Sequence, residues 1–318
     1  MNHYFSYFKK AGLICLVLLL CFALGACGGS SQKEEAEDDV VQSSGDTLRI
    51  ATKNTPEQNI LAHLAQILIR EKMGMEAEIV YFEDSTSTAL LEKMNRGSIE
   101  LFFDYSGSLA VNALKIDTEK VNIPTLILDV QNNIRKSYDI TVSEEIGYNS
   151  STAFYMMIER REELGSPATI SQVAKMSSDL KIGMNEAFYN RIDCYAAFCE
   201  LYETEFKKAL VYNEDEDGFR SLINGDIDVY VGPSVSPYRS LLNVKQLVDD
   251  KYFILPQNTC CLMSNKALKD YPELESTIEH LEGLISESRM SLMVKRIYWE
   301  GNPIDDYIHT YLRANNII

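Results

Sequence analysis

An α/β architecture built on parallel, doubly wound sheets is what residues 47–318 predict. Three observations point there. Short apolar runs alternate with amphipathic stretches of helical period. The alternation occurs in two successive sets. A fragment of the first set is echoed in the second.

Leu48-Arg49-Ile50-Ala51-Thr52 reads as a strand. Thr55-Pro56-Glu57-Gln58 then starts a helix. Thr55 can cap it, Pro56 suits the first helical position, and Gln58 sits three after the cap, as in a capping box. Ile60, Leu61, Leu64, Ile67 and Leu68 follow at helical spacing, and Gly74 stops the helix. Glu78 to Phe82 is the next strand. Leu90, Leu91 and Met94 mark another helix, closed by Gly97, and Ile99 to Tyr105 is a third strand. Strands separated by helices need crossovers, so the sheet is parallel and its ligands belong at the carboxyl ends of its strands.

The second set runs Ala153 to Ile158 (strand), Ile170 to Met176 (helix), Leu180 to Met184 (strand), Tyr195 to Tyr202 and Phe219 to Ile223 (helices), and Ile227 to Val231 (strand). The echo pairs Met94-Asn95-Arg96-Gly97-Ser98-Ile99-Glu100-Leu101 with Leu222-Ile223-Asn224-Gly225-Asp226-Ile227-Asp228-Val229. Each reads as a helix end, a glycine, then a strand. Ala267 to Ile318 is nearly all helical, with Leu274, Ile278, Leu281 and Leu284 on one face.

Residues 1–26 read as a lipoprotein signal peptide. Lys9 and Lys10 precede an apolar run too short for a comfortable bilayer span, and Leu24-Gly25-Ala26-Cys27 has the form of a lipobox. Cys27 would carry the lipid, and residues 27–46 would be an acidic, flexible tether. The expected location is the outer face of the cell membrane, held by the lipid anchor only.

The formal charge is −17 for the chain and −19 without Lys9 and Lys10, which argues against nucleic acid as a partner. His63, His280 and His309 stand in no metal-binding or triad pattern, and neither a Gly-rich phosphate loop nor a nucleophile elbow is present. No enzyme activity, metal or cofactor is therefore expected. Cys260-Cys261 reads as small strand residues. A Cys194–Cys199 bond, or one across the two sets, is compatible with a secreted protein.

Thr52-Lys53-Asn54-Thr55-Pro56-Glu57-Gln58 and Phe103-Asp104-Tyr105-Ser106-Gly107-Ser108 carry a resemblance. It continues through Phe188-Tyr189-Asn190-Arg191-Ile192-Asp193, the stretch from Leu222 to Val229, and Asp249-Asp250-Lys251-Tyr252-Phe253. In these motifs the chain resembles the substrate-binding proteins of glycine betaine/choline/carnitine (osmoprotectant) ABC importers. The resemblance implies a type II periplasmic-binding-protein fold: two lobes joined by a hinge of two crossovers, lobe I at 47–148 plus 256–318 and lobe II at 149–255. It implies a monomer that passes a small-molecule ligand to an ABC permease subunit.

It also implies ligand-binding residues. Lys53, Arg191 and the Ser108 hydroxyl would hold a carboxylate. Tyr105, Phe154 and Phe219 would wall a quaternary ammonium, whose charge binds aromatic faces. Gln257 falls where the family has a fourth tyrosine, and Tyr155 and Tyr252 are nearby substitutes for Phe154 and Gln257. Without the resemblance, Lys53 and Arg191 read as surface charges and the aromatics as core. The departures at Phe154, Phe219 and Gln257 leave room for another carboxylate or amino-acid-like solute. A ligand-sensing role for the same fold also stays open.

Overall fold

The computed structural model describes residues 47–318 except 83–84, 118–120 and 241. The expectations for residues 1–46, Cys27 among them, lie outside the described residues. The described chain holds two five-stranded sheets.

The first sheet contains β1 (Leu48–Thr52), β2 (Ala77–Tyr81), β3 (Leu101–Tyr105), β4 (Ile140–Val142) and β10 (Thr259–Ser264). The second contains β5 (Thr152–Met157), β6 (Lys181–Asn185), β7 (Lys208–Tyr212), β8 (Val229–Pro233) and β9 (Val244–Gln246). The orders are β2-β1-β3-β10-β4 and β7-β6-β8-β5-β9. Three strands of each sheet are parallel, as expected: β1 with β2 and β3, and β6 with β7 and β8.

One strand of each sheet, β10 in the first and β5 in the second, runs against all the others. β10 runs antiparallel to β3 and β4, and β5 antiparallel to β8 and β9. Both β5 and β10 enter their sheets from a crossing segment. They therefore begin where the parallel strands end: Thr152 lies opposite Pro233, and Thr259 opposite Tyr105.

Both faces of each sheet are covered, which is why the central strands read as continuous apolar runs. In β3, Leu101 and Phe103 face one core cluster and Phe102 the other; in β10, Cys261 and Met263 alternate in the same way with Cys260 and Leu262. In β5, Phe154 and Met156 face one cluster, Ala153 and Tyr155 the opposite one. Each fully buried Leu, Ile or Phe contributes roughly 1.5–3 kcal/mol.

The first long helix, α1 (Pro56–Leu68), begins as read, with Thr55 Oγ1 accepting from Gln58 N at 3.4 Å and proline in its first turn. Gly74 follows in the left-handed conformation, φ 65°. The next helix, α2 (Ser87–Asn95), ends before Gly97. The capping box at Thr55 is not completed, because Gln58 is buried and its Nε2 has no partner.

Most strand boundaries fall within one or two residues of those expected. The sequence reading missed β4, β7, β9 and the helix Leu126–Tyr138. Cys260 and Cys261 are strand residues as read, and all four described cysteines are free.

Two segments link the sheets, between β4 and β5 and between β9 and β10, and they are bonded to each other. Asn149 bridges Asn258; Gln257 N donates to Asn149 Oδ1 at 2.7 Å, and Ser150 N to Gln257 O at 2.9 Å.

Candidate functional site

The carboxyl ends of the parallel strands and the linking segments meet in one region. On the first-sheet side, Lys53 directly follows β1. Its Nζ donates to both oxygens of Asp104, each at 3.0 Å, and the Asp104 side chain is fully buried. Lys53 therefore reaches the site already ion-paired. Asp104, the penultimate residue of β3, holds the charge that the expected ligand carboxylate would share.

Tyr105 ends β3 half-buried, beside Glu57, Gln58 and Ser150. Burial, then the neighbouring Glu57 carboxyl, raises its hydroxyl above the ordinary range. Glu57 is itself pushed up from 4.5 to about 7 by burial, and its polar neighbours Ser150 and Tyr148 offset only part of that. Tyr148, next to Tyr105, Glu57 and Thr259, is raised further by complete burial. Glu57 Oε2, Gln58 Nε2, Tyr148 Oη and Thr259 Oγ1 of this group are buried with no well-formed hydrogen bond, only weak contacts to one another, Tyr105 and Ser150. Leaving such atoms without a good partner costs on the order of 1–3 kcal/mol each, so four at one place is a strong local signature.

Ser108 and Gln257 are brought together, but bonded to each other. Ser108 N and Oγ donate to Gln257 Oε1 at 2.9 and 3.0 Å. Gly107 makes this approach feasible: a Cβ there would lie 2.5 Å from Pro256 O and 2.7 Å from Gln257 Nε2.

On the second-sheet side, Arg191 follows the short helix Glu186–Asn190. Its guanidinium is 65% exposed and grips Asp193, Nε to Oδ1 at 3.0 Å. It lines a cavity of about 260 Å³ with Thr152, Phe188 and Pro233. A second cavity of about 350 Å³ shares Ser151 and Thr152 with it and is lined by Asn149, Phe154 and Tyr252.

Phe154 and Phe219 do not join Tyr105 in a cage. Phe154 is 2% exposed and stacks on Phe198, at 4.9 Å between centroids. Phe219 is fully buried against Tyr230 and Tyr238 in the cluster on the opposite face of the same sheet. Phe154 lies on β5, whereas Phe219 lies on the helix Asp215–Asn224 that packs on the other face, so the sheet itself separates the two rings.

The sequence reading missed Glu57, Gln58, Asp104, Tyr148, Ser150 and Thr259 as one group. Glu57 and Gln58 stood in the first turn of a helix, where polar residues are ordinary. Only the pairing of β10 with β3 brings Thr259 to Tyr105. Among the described residues no cluster of His, Cys, Asp and Glu could hold a metal, and no helix is long and apolar enough to cross a membrane.

Comparison with known proteins accounts for this geometry. Residues 46–314 match the family described as the substrate binding domain of the ABC-type glycine betaine transport system. The chain is 29% identical over 261 residues to the carnitine transport binding protein OpuCC of Listeria monocytogenes, covering 78% of this chain and 80% of that one. It is 24% identical over 246 residues to the ergothioneine transport permease/ergothioneine binding protein EgtU of Helicobacter pylori, spanning 43% of that longer protein. A crystal structure of a glycine betaine/carnitine/choline ABC transporter protein superposes with a TM-score of 0.78 at 25% identity, covering 85% of this chain and 99% of that one. YehZ of Escherichia coli in its apo form shares the fold alone, with a TM-score of 0.72 at 12% identity over 86% of this chain and 99% of that one. Two sheets of this order, joined by two crossings, are the type II periplasmic-binding-protein fold, and the chain belongs to the family of substrate-binding proteins of glycine betaine-type ABC transport systems.

Proposed function

We propose that the protein captures a small quaternary ammonium osmolyte (glycine betaine, choline or a carnitine-like solute) and delivers it to an ABC permease, with no catalytic step of its own. In this reading residues 1–26 are removed, Cys27 is lipidated, and residues 27–46 tether a monomer to the outer face of the cell membrane. Lobe I (47–148 plus 256–318) and lobe II (149–255) close over the ligand about the paired crossings, because a ligand touching both lobes binds the closed form better.

The observation that carries the reading is the buried polar group around Tyr105. Gln58 and the hydroxyls of Tyr148 and Thr259 are buried donors suited to a carboxylate, and they adjoin a half-buried aromatic ring. Ser108 and Gln257 hold the crossing in register beside it, and Lys53 keeps Asp104 neutralised. Arg191 exchanges Asp193 for the ligand's carboxylate as the lobes close. The burial of Phe154 and Phe219 favours a second reading, a less cationic or amino-acid-like carboxylate.

Thermal unfolding of the full chain in detergent with glycine betaine, carnitine, choline and common amino acids separates the two. A ligand at 100 times its Kd stabilises by about 2.7 kcal/mol. A shift with quaternary ammonium compounds supports the first reading, and one with amino acids alone replaces it by the second. Arg191→Ala should weaken glycine betaine and carnitine while sparing choline, which lacks the carboxylate. Equal binding of all three by that variant removes Arg191 from the site.

A further inference from the structure

The segment that follows β8 reaches from the second sheet to the core of the first. Ser234 Oγ donates to Asn149 O at 2.6 Å and accepts from Ser151 N at 2.8 Å, which fixes the segment to a crossing. Val235 then packs into the first-sheet cluster that holds Leu101, Phe103 and Met290. Ser236 N donates to Ser291 Oγ of the helix Glu287–Val294 at 3.1 Å, and both serines are buried. The segment ends in the short helix Pro237–Ser240, where the Tyr238 ring meets Trp299 edge to face, 4.7 Å between centroids at 70°.

The two rings are rooted in different cores. Trp299 ends the helical turn Lys295–Trp299, whose Ile297 is buried in the first-sheet cluster. Tyr238 stacks on Phe219 of the second-sheet cluster, 5.4 Å between centroids. The ring pair is thus a link between the sheets beyond the two crossings. It is also the least buried part of this link, since Trp299 is 47% exposed whereas Val235, Ser236 and Ser291 are buried. In a hinge rotation the contacts pinned to the crossing move least, and a contact farther along the segment moves more.

The pair is made while the halves of the site stand apart. The cavities of about 260 and 350 Å³ are lined by residues 149–256 alone, so Tyr105 and Glu57 share neither of them with Arg191 or Tyr252. We infer that the Tyr238–Trp299 contact is a latch that favours this separated arrangement, making Trp299 a positioning residue that sets ligand affinity from outside the cleft. The inference rests on the proposed closure of lobe I over lobe II. A ligand that closes the lobes must also open the latch, so its apparent affinity is lowered by the small fraction of chains already closed. Neither ring lines either cavity, so the effect is the same for every ligand.

The test combines titration calorimetry and fluorescence on the full chain in detergent, with glycine betaine, carnitine, choline and common amino acids. Trp299 is the chain's one tryptophan, so its emission reports on this contact alone. Saturating ligand should shift that emission in the parent chain. Trp299→Leu should bind every ligand that the parent binds about twofold to tenfold more tightly, the range of one aromatic pair, and by one common factor. Tyr238→Leu, which removes the other ring, should show the same gain, and Trp299→Phe, which keeps a ring at the contact, should bind like the parent. Loss of packing alone does not raise affinity. Parent-like or weaker binding by both leucine variants overturns the inference and leaves the ligand class intact, as does an emission that ligand leaves unchanged. A gain confined to one ligand also overturns it, by placing the ring in the binding site. A parent chain that binds nothing in the panel overturns the proposed function, and the inference with it.

Discussion

In the first sheet Glu100 accepts from Arg49 N at 2.9 Å, and in the second Asp228 accepts from Lys181 N at 2.8 Å. Each acid stands just before the third parallel strand of its sheet, at matching places in the internal echo. Each is also held by an arginine: Glu100 by Arg49 at 2.6 Å, Asp228 by Arg160 at 2.7 Å. Gly97 and Gly225 precede them with φ 72° and 74°. The surroundings differ. The Arg49 side chain is 6% exposed, whereas Arg160 is 39% exposed and shares its charge with Glu163. One backbone problem, the unpaired N–H at the start of a central strand, has thus been solved once in the core and once at the surface.

The ends of the sheets that face the crossings differ more. Four of the five buried side-chain atoms without a well-formed hydrogen bond among the described residues lie at the first sheet's end. Buried hydroxyls of the second sheet are paired: Tyr230 donates to Asp215 at 2.6 Å, and Tyr155 to Pro233 O at 2.8 Å. The first sheet brings weakly paired polar atoms to the cleft, and the second brings an exposed guanidinium and the exposed ring of Tyr252. A binding protein needs this asymmetry, because polar groups left weakly paired by folding are free to pair with a ligand.

Four substitutions break or sharpen the comparison. The largest effect belongs to Arg49→Ala, which strands a buried carboxylate and should cost about 3–5 kcal/mol, against about 1 kcal/mol or less for the solvent-screened Arg160→Ala. Urea unfolding of both variants decides it, and equal losses would erase the difference between the clamps.

Glu57→Gln comes next, through pH. The folded-state pKa, about 7, lies above the ordinary 4.5, so the folded chain holds a proton that the unfolded chain releases. Stability therefore falls as pH rises through that window. The variant should outlast the parent at pH 8 by on the order of 2–3 kcal/mol, and the gap should close below about pH 4.5. A gap independent of pH would mean that Glu57 finds a partner in the folded chain.

Gly107→Ala acts on the crossing itself. Its Cβ would displace the crossing at Pro256 and Gln257, for about 1–3 kcal/mol of stability and a measurable loss of ligand affinity. Unchanged affinity would show that the Ser108–Gln257 contact does not shape the site.

Much of the fold was legible because its determinants are local. Thr55 and Pro56 start α1, Gly74 and Gly97 close helices, and the apolar runs of β1, β3, β6 and β8 name the central strands. β9 was hidden because Val244–Gln246 is short and lies at a sheet edge, where little apolar surface is buried. The site was less legible. Lys53 read as a surface charge or, through the resemblance, as a carboxylate-binding residue; only the parallel pairing of β1 and β3 sets it against Asp104, a contact across 51 positions. Phe154 and Phe219 read as partners, but the strand β5 and the helix Asp215–Asn224 bury them on opposite faces of one sheet.

The sequence alone determined the α/β class, the two sets of elements and the family motifs, since periodicity, caps and turn residues act over a few positions. Tertiary structure alone decided which charges are already paired, which rings are buried, and that Glu57, Gln58, Tyr148 and Thr259 share one buried place. Burial and long-range pairing depend on strand order and on the route of the two crossings, which no short stretch of residues encodes.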